Sequence, residues 1–222
     1  MPDEPTLARK KTTPTTPAAL RSTTTTPSDW RTVTQQLLLV LGIAATLPRA
    51  IWLGVSAGFD VFGYEWFGPL IFPLRTIGLA AGALVVVVVW KLGTVLDARE
   101  EGRSAAALRA LALWVLAAEI LWGLLQPTVG EVAGDWLMSA WFQVLFFVLV
   151  PAVADIVFAL WIAAMLTTQR VQPFLPGVVI LSIAFNVIGF FAGFPRPLHI
   201  GVDFVVVVST LIEILRLRRA LS

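Results

Sequence analysis

The chain has 222 residues, 58% of them hydrophobic and 14% charged, which is too apolar for a water-soluble domain and places it in the membrane class. It has no cysteine and a single histidine, which excludes disulfide frameworks, thiolate metal sites, cysteine nucleophiles and a His-His metal site. The net charge is only +2, and the basic residues gather at the ends of apolar runs rather than on one soluble face, so they speak for membrane topology and against nucleic acid.

Residues 1–30 read as a cytoplasmic tail dominated by Thr and Pro. With almost no apolar side chains to offset the entropy of ordering, this tail is expected to be disordered. Residues 31–222 read as one all-α transmembrane domain, a polytopic helix bundle of six spans at about 33–57, 69–95, 105–125, 138–166, 173–194 and 198–215. The first span is interrupted by Pro48 and Arg49. Val55-Ser56-Ala57 has the small residues of a signal-peptide cleavage site, but the apolar run is as long as a full span and its leader is long, so a retained helix is expected. Arg75 stands near the start of the second span and Lys91 near its end, and the five charged residues between Asp97 and Ser104 make a hydrated connector.

Glu119 lies inside the third span, and Gln126-Pro127 ends it. The fourth carries Pro151 and Asp155, the fifth opens at Pro173 and contains Asn186, and Pro195-Arg196-Pro197 turns the chain into the sixth, which holds His199, Asp203 and Glu213. Gly54 and Gly58, Gly78 and Gly82, and Gly189 and Gly193 are each four apart, which predicts faces for close helix packing.

Six spans put both termini on one side, and the basic residues choose it. With the N-terminus inside, thirteen of the sixteen Lys and Arg residues fall on the cytoplasmic side, and only Arg49, Arg75 and Arg196 fall outside. This is the positive-inside pattern, and it predicts an N-in, C-in protein. Trp30, Trp90 and Trp161 then fall near the inner interface and Trp66, Trp136 and Trp141 near the outer one, as amphipathic anchors. Thirteen of the sixteen basic residues are also arginine, a bias that fits a GC-rich bacterial genome and so a bacterial cytoplasmic membrane.

A rise of about 1.5 Å per residue turns position into depth. Arg49 lies about 24 Å from the inner end of its span, Arg75 about 9 Å from an outer end, Glu119 about 21 Å from an inner end and Asp203 about 8 Å below an outer end. These four are expected to neutralise one another as buried ion pairs, with His199 at the same rim. Asp155 and Glu213 fall on the inner side, with Lys91 and Arg109 as their nearest expected cations. Asp155 is the least compensated, which suits reversible protonation. Pro151 adds to this by freeing the carbonyl of Phe147, and Asn186 is the expected neighbour. Asp155, Glu119, Glu213 and Asn186 are therefore the candidates for an ion or proton pathway.

No catalytic, cofactor-binding or metal-binding residue is expected. The chain has no His-Glu-x-x-His motif and no phosphate-cradling glycine loop followed by Lys-Ser or Lys-Thr. Glu100, Glu101 and Arg103 read as a solvated charge run outside the apolar spans. The expectation is a non-enzymatic integral membrane protein, an accessory or scaffold subunit whose partners are the bilayer and a membrane protein or a second copy of itself. The competing reading is a small proton- or ion-coupled transporter or channel that uses Asp155 and Glu119.

Overall fold

The computed structural model describes residues 27–63, 68–97, 106, 109–114, 116–117, 120 and 150–221. Among these residues every regular element is helical. Helix α1 spans Pro27–Phe62, a 3-10 turn at Gly68–Leu70 leads into α2 at Ile71–Asp97, and α3 (Val150–Thr168), α4 (Leu175–Ala192) and α5 (Arg196–Ala220) follow. Residues 106, 109–114, 116–117 and 120 are also helical. Four stretches are long and apolar enough to cross a membrane: Trp30–Phe62, Gly68–Val95, Leu175–Ala192 and Arg196–Ala220. Ala152–Thr168 is a shorter apolar helix. Residues 1–26, most of the expected third span and the first part of the expected fourth lie outside the described residues.

Two helices run past their apolar cores for reasons of end chemistry. Helix α1 begins at Pro27, inside the expected tail, where a missing N–H is harmless because the first turn of a helix leaves its N–H groups unpaired. Helix α5 continues through Arg216 and ends with Arg218 and Arg219 in its last turn, where cations meet the negative end of the helix dipole.

Helix α5 is the hub, in contact with α1, α3 and α4, while α2 packs on α1. Helices α1 and α5 run antiparallel: Arg196 meets Asp60 at one end, and further along Leu211 and Ile214 lie against Gly42. The tightest packing is toward the end where α3 turns into α4. There Leu38, Leu92, Trp161, Leu166, Leu175 and Leu217 are almost wholly buried. At the Arg196 end, Val61, Phe62, Phe72, Phe191 and Leu198 are exposed.

The seam between α4 and α5 follows a 4-3-4 spacing. On α4 the buried positions are Leu175, Val179, Ser182 and Gly189, with half-buried Asn186 between the last two. On α5 the buried positions are Val206, Val207, Ser209, Thr210, Glu213, Ile214 and Leu217, of which Val206, Thr210, Glu213 and Leu217 repeat the spacing, continued toward the Arg196 end by half-buried Asp203 and His199. A repeat of about 3.5 residues keeps one stripe of each helix facing its neighbour, and here the stripes carry polar side chains as well as apolar ones.

Two short turns fix this seam. Gly193 caps α4 in the left-handed region, at φ 69°, and the Phe194 N–H donates to the Gly189 carbonyl at 2.8 Å. That bond closes a Schellman-type end, and prolines at 195 and 197 then direct the chain into α5. At the end of α3, the Val171 N–H donates to the Leu166 carbonyl at 2.9 Å in a turn of the same kind, with Arg170 in the left-handed position at φ 58°.

Two packing expectations need correction. Gly54 and Gly78 have no atom within 4 Å of where a Cβ would stand, and Gly193 is a turn glycine rather than a packing one. Gly82, with Ile120 at 3.1 Å, and Gly189 do meet a close neighbour. Spacing put the pairs on one helix face but could not say whether another helix approaches it. Trp161 is not an interfacial anchor. It is 2% exposed and packs on Phe158 at a ring separation of 5.9 Å, because its helix face points into the core. Trp90, by contrast, is exposed. Trp66, Trp136 and Trp141 lie outside the described residues.

Candidate functional site

Polar side chains from four helices converge between the Arg196 end and the middle of the bundle. Arg49 follows Pro48 in α1, a proline that leaves the Ala44 carbonyl without its helical N–H partner. One turn below, Thr46 Oγ1 donates to the Gly42 carbonyl at 2.5 Å. The Arg49 guanidinium reaches across to α3 and grips Asp155 with two parallel bonds, Nη1 to Oδ1 and Nη2 to Oδ2, both 2.6 Å. This fork-to-fork geometry is the strongest form of an arginine–carboxylate pair. The side chains are 45% and 24% exposed, so the pair sits at the edge of the packed interior rather than within it.

A second polar group lies on the α4–α5 seam. Asn186 Nδ2 donates to Asp203 Oδ1 at 2.9 Å and stands 3.5 Å from Ser182 Oγ. With the amide nitrogen turned to the carboxylate, Asn186 Oδ1 faces His199 Nδ1 at 2.7 Å. An amide oxygen can only accept, so His199 Nδ1 is the donor in this contact and Nε2 is the bare nitrogen of the neutral imidazole. The imidazole is held edge-on to Phe185 at 5.9 Å, and Phe185 stacks against Phe194 at 5.3 Å. Gly189 lies behind the ring. A Cβ there would stand 2.6 Å from His199 Cε1 and 3.0 Å from Nε2, so the imidazole needs a glycine at this point. The two groups form one electrostatic unit, since Asp203 feels the charges of Arg49, Asp155 and His199.

Two further contacts bracket the cluster. At the Arg196 end, Arg196 Nη1 donates to Asp60 Oδ1 at 3.1 Å and ties α5 to α1. Toward the other end, Glu213 is fully buried and accepts from Arg216 Nη1 at 2.5 Å, while the Arg216 guanidinium lies 5.5 Å from the centre of the Phe174 ring. The second oxygen of Glu213 has no hydrogen-bond partner among the described residues.

The residues singled out in the sequence are thus arranged differently from expectation. Asp155 is not the least compensated carboxylate, because Arg49 takes both of its oxygens. Its expected span, at about 29 residues, is longer than a bilayer core of about 30 Å needs, so depth along it depends on the end from which it is measured. Counted from Thr168, Asp155 is about 20 Å along its helix, near the level of Arg49. Asn186 serves Asp203 and His199 rather than Asp155. Arg109 lies across Gly93, and Lys91 is exposed on α2. Arg75 is half-buried on α2, and Glu119 lies outside the described residues.

Ser182 is a member of the cluster that sequence reasoning missed, although its spacing of four from Asn186 was a readable signal. Also missed was the run Gly54-Val55-Ser56-Ala57-Gly58, which carries the Gly-x-Ser-x-Gly spacing of a hydrolase nucleophile elbow. That motif needs a strained strand-to-helix turn that exposes the serine, whereas Ser56 is buried inside α1. Among the described residues no hydrogen bond joins Ser56 to His199, and no group of three or more His, Asp and Glu side chains is placed to hold a metal ion. No known family model, curated protein or solved structure matches the chain, so the functional reading rests on the chemistry of the site itself.

Proposed function

We propose that the chain is a six-span, N-in and C-in protein of a bacterial cytoplasmic membrane that acts without catalysis, as an accessory or scaffold subunit of a membrane complex. The observation that carries this reading is how the acidic side chains are used. Asp60, Asp155 and Asp203 each accept from a side chain of a different helix, and these bonds tie α1 to α5, α1 to α3 and α4 to α5. Polar groups spent on joining helices behave as glue, and interhelical bonds in membranes contribute about 1 kcal/mol each. The candidates for an ion pathway within the described residues do not bond to one another: Asp155 is closed on Arg49, Asn186 on Asp203 and His199, and Glu213 on Arg216. The six-span orientation rests on the distribution of basic residues, thirteen of sixteen on one side.

Affinity purification of the full chain in mild detergent is expected to recover a membrane partner in fixed stoichiometry, and recovery of a solitary monomer would contradict the scaffold role. The transport reading makes the opposite claim on the same residues. It requires ion-dependent flux in reconstituted vesicles that Asp155→Asn abolishes, whereas the scaffold role requires none.

A further inference from the structure

The cluster at the middle of the bundle has an unbalanced charge. Arg49 cancels Asp155 through its two-bond grip, which leaves one carboxylate, Asp203, with a single amide donor at 2.9 Å and no cation bonded to it among the described residues. Among the described residues, the charged and titratable groups that bear on Asp203 are Arg49 from α1, Asp155 from α3 and His199 from its own helix. Helix α4 presents only the neutral Asn186 and Ser182. Arg196, one turn from His199, is engaged with Asp60. Counted with a neutral imidazole and among the described residues, the unit made of Arg49, Asp155, His199 and Asp203 carries one net negative charge, and one added proton makes it neutral. At membrane depth the neutral form is favoured, because an isolated charge is costly there.

The hydrogen-bond directions say where that proton can reside. His199 Nδ1 already carries a hydrogen, which it donates to Asn186. The remaining sites are His199 Nε2 and the Asp203 carboxyl group, joined through the two ends of one asparagine amide. We infer that His199, Asn186 and Asp203 form a proton-binding site that takes up a single proton, shared as one coupled unit between the imidazole and the carboxylate with the Arg49–Asp155 pair as its fixed counterweight. Proton occupancy changes the charge across the α4–α5 seam, one of the contacts that hold α5. The site is independent of any partner subunit, so its failure would leave the scaffold role standing.

His199 is the only histidine, so histidine-specific 15N labelling of the full chain in lipid nanodiscs reports on this imidazole alone. Solid-state NMR would read Nδ1 and Nε2, and infrared difference spectra would read the stretch of a protonated carboxyl group. Lowering the pH from about 8 to about 5, the range in which imidazoles titrate, should produce one change in the wild type, either protonation of Nε2 or a new carboxyl band. Asp203→Asn, which makes the unit neutral without the proton, should lose both signals. In His199→Gln the unit still lacks a proton, so the carboxyl band should appear. No change at either group in the wild type would overturn the inference. So would a change that survives in Asp203→Asn, or a carboxyl band removed by Asp155→Asn rather than by Asp203→Asn.

Discussion

At the scale of single residues, two positions show how closely backbone and side chain are matched. Gly189 gives up a side chain so that the His199 ring can lie against α4, because a methyl group at this position would stand 2.6 Å from Cε1. Gly189→Ala should push the imidazole off Asn186 and destabilise the protein by about 1–3 kcal/mol, the usual cost of overpacking. Gly54→Ala, where nothing stands within 4 Å of the added methyl, should leave the melting temperature unchanged. Equal melting temperatures for both variants would show that Gly189 is not a contact. Arg170 is the reverse case, a long side chain held at φ 58° where a helix end ordinarily takes glycine. Arg170→Gly should raise stability by up to about 1 kcal/mol by relieving the left-handed strain, and a loss would mean that the arginine side chain contributes more than the turn costs it.

At the scale of helices, the antiparallel contact of α1 with α5 rests on Asp60–Arg196 at one end and on Gly42 against Leu211 and Ile214 further along. Because the chain has no cysteine, Asp60→Cys with Arg196→Cys gives a single pair of thiols in an otherwise silent background. A short bifunctional reagent should join them in intact membranes, seen as faster migration on a gel, while Asp60→Cys with Arg216→Cys, at opposite ends of the α1–α5 contact, should not cross-link. Efficient linkage of the second pair would refute the antiparallel arrangement. Much of the helix content was legible in the sequence, because unbroken apolar runs between charged connectors and prolines leave little other choice in a bilayer. The ends were less so: α1 and α5 extend into polar and basic residues, where end chemistry rather than hydropathy decides. The α4–α5 seam was present as the spacing of Ser182, Asn186 and Gly189, but membrane helices lack the polar face that ordinarily makes such a stripe visible.

At the scale of the whole molecule, the charged residues were legible as a set and not as pairs. Sequence placed Arg49, Asp155, Asp203 and His199 inside apolar spans, which is enough to demand partners, but partner choice depends on helix rotation and on relative depth. An error of about 10 Å in depth along one span moved Asp155 away from Arg49 and left it without a cation, when the two are joined by a pair of 2.6 Å bonds. That pair ties α1 to α3 and sets the charge balance of the cluster beside it. Its coupling is measured most directly by thermal unfolding of Arg49→Ala, Asp155→Ala and the double variant in the same lipid or detergent. Each single change leaves a charge at membrane depth without its partner and should lower stability by about 1–3 kcal/mol. The double variant is expected to be no less stable than the worse single one, with a coupling of about 1 kcal/mol or more, and strictly additive losses would contradict the clamp between α1 and α3.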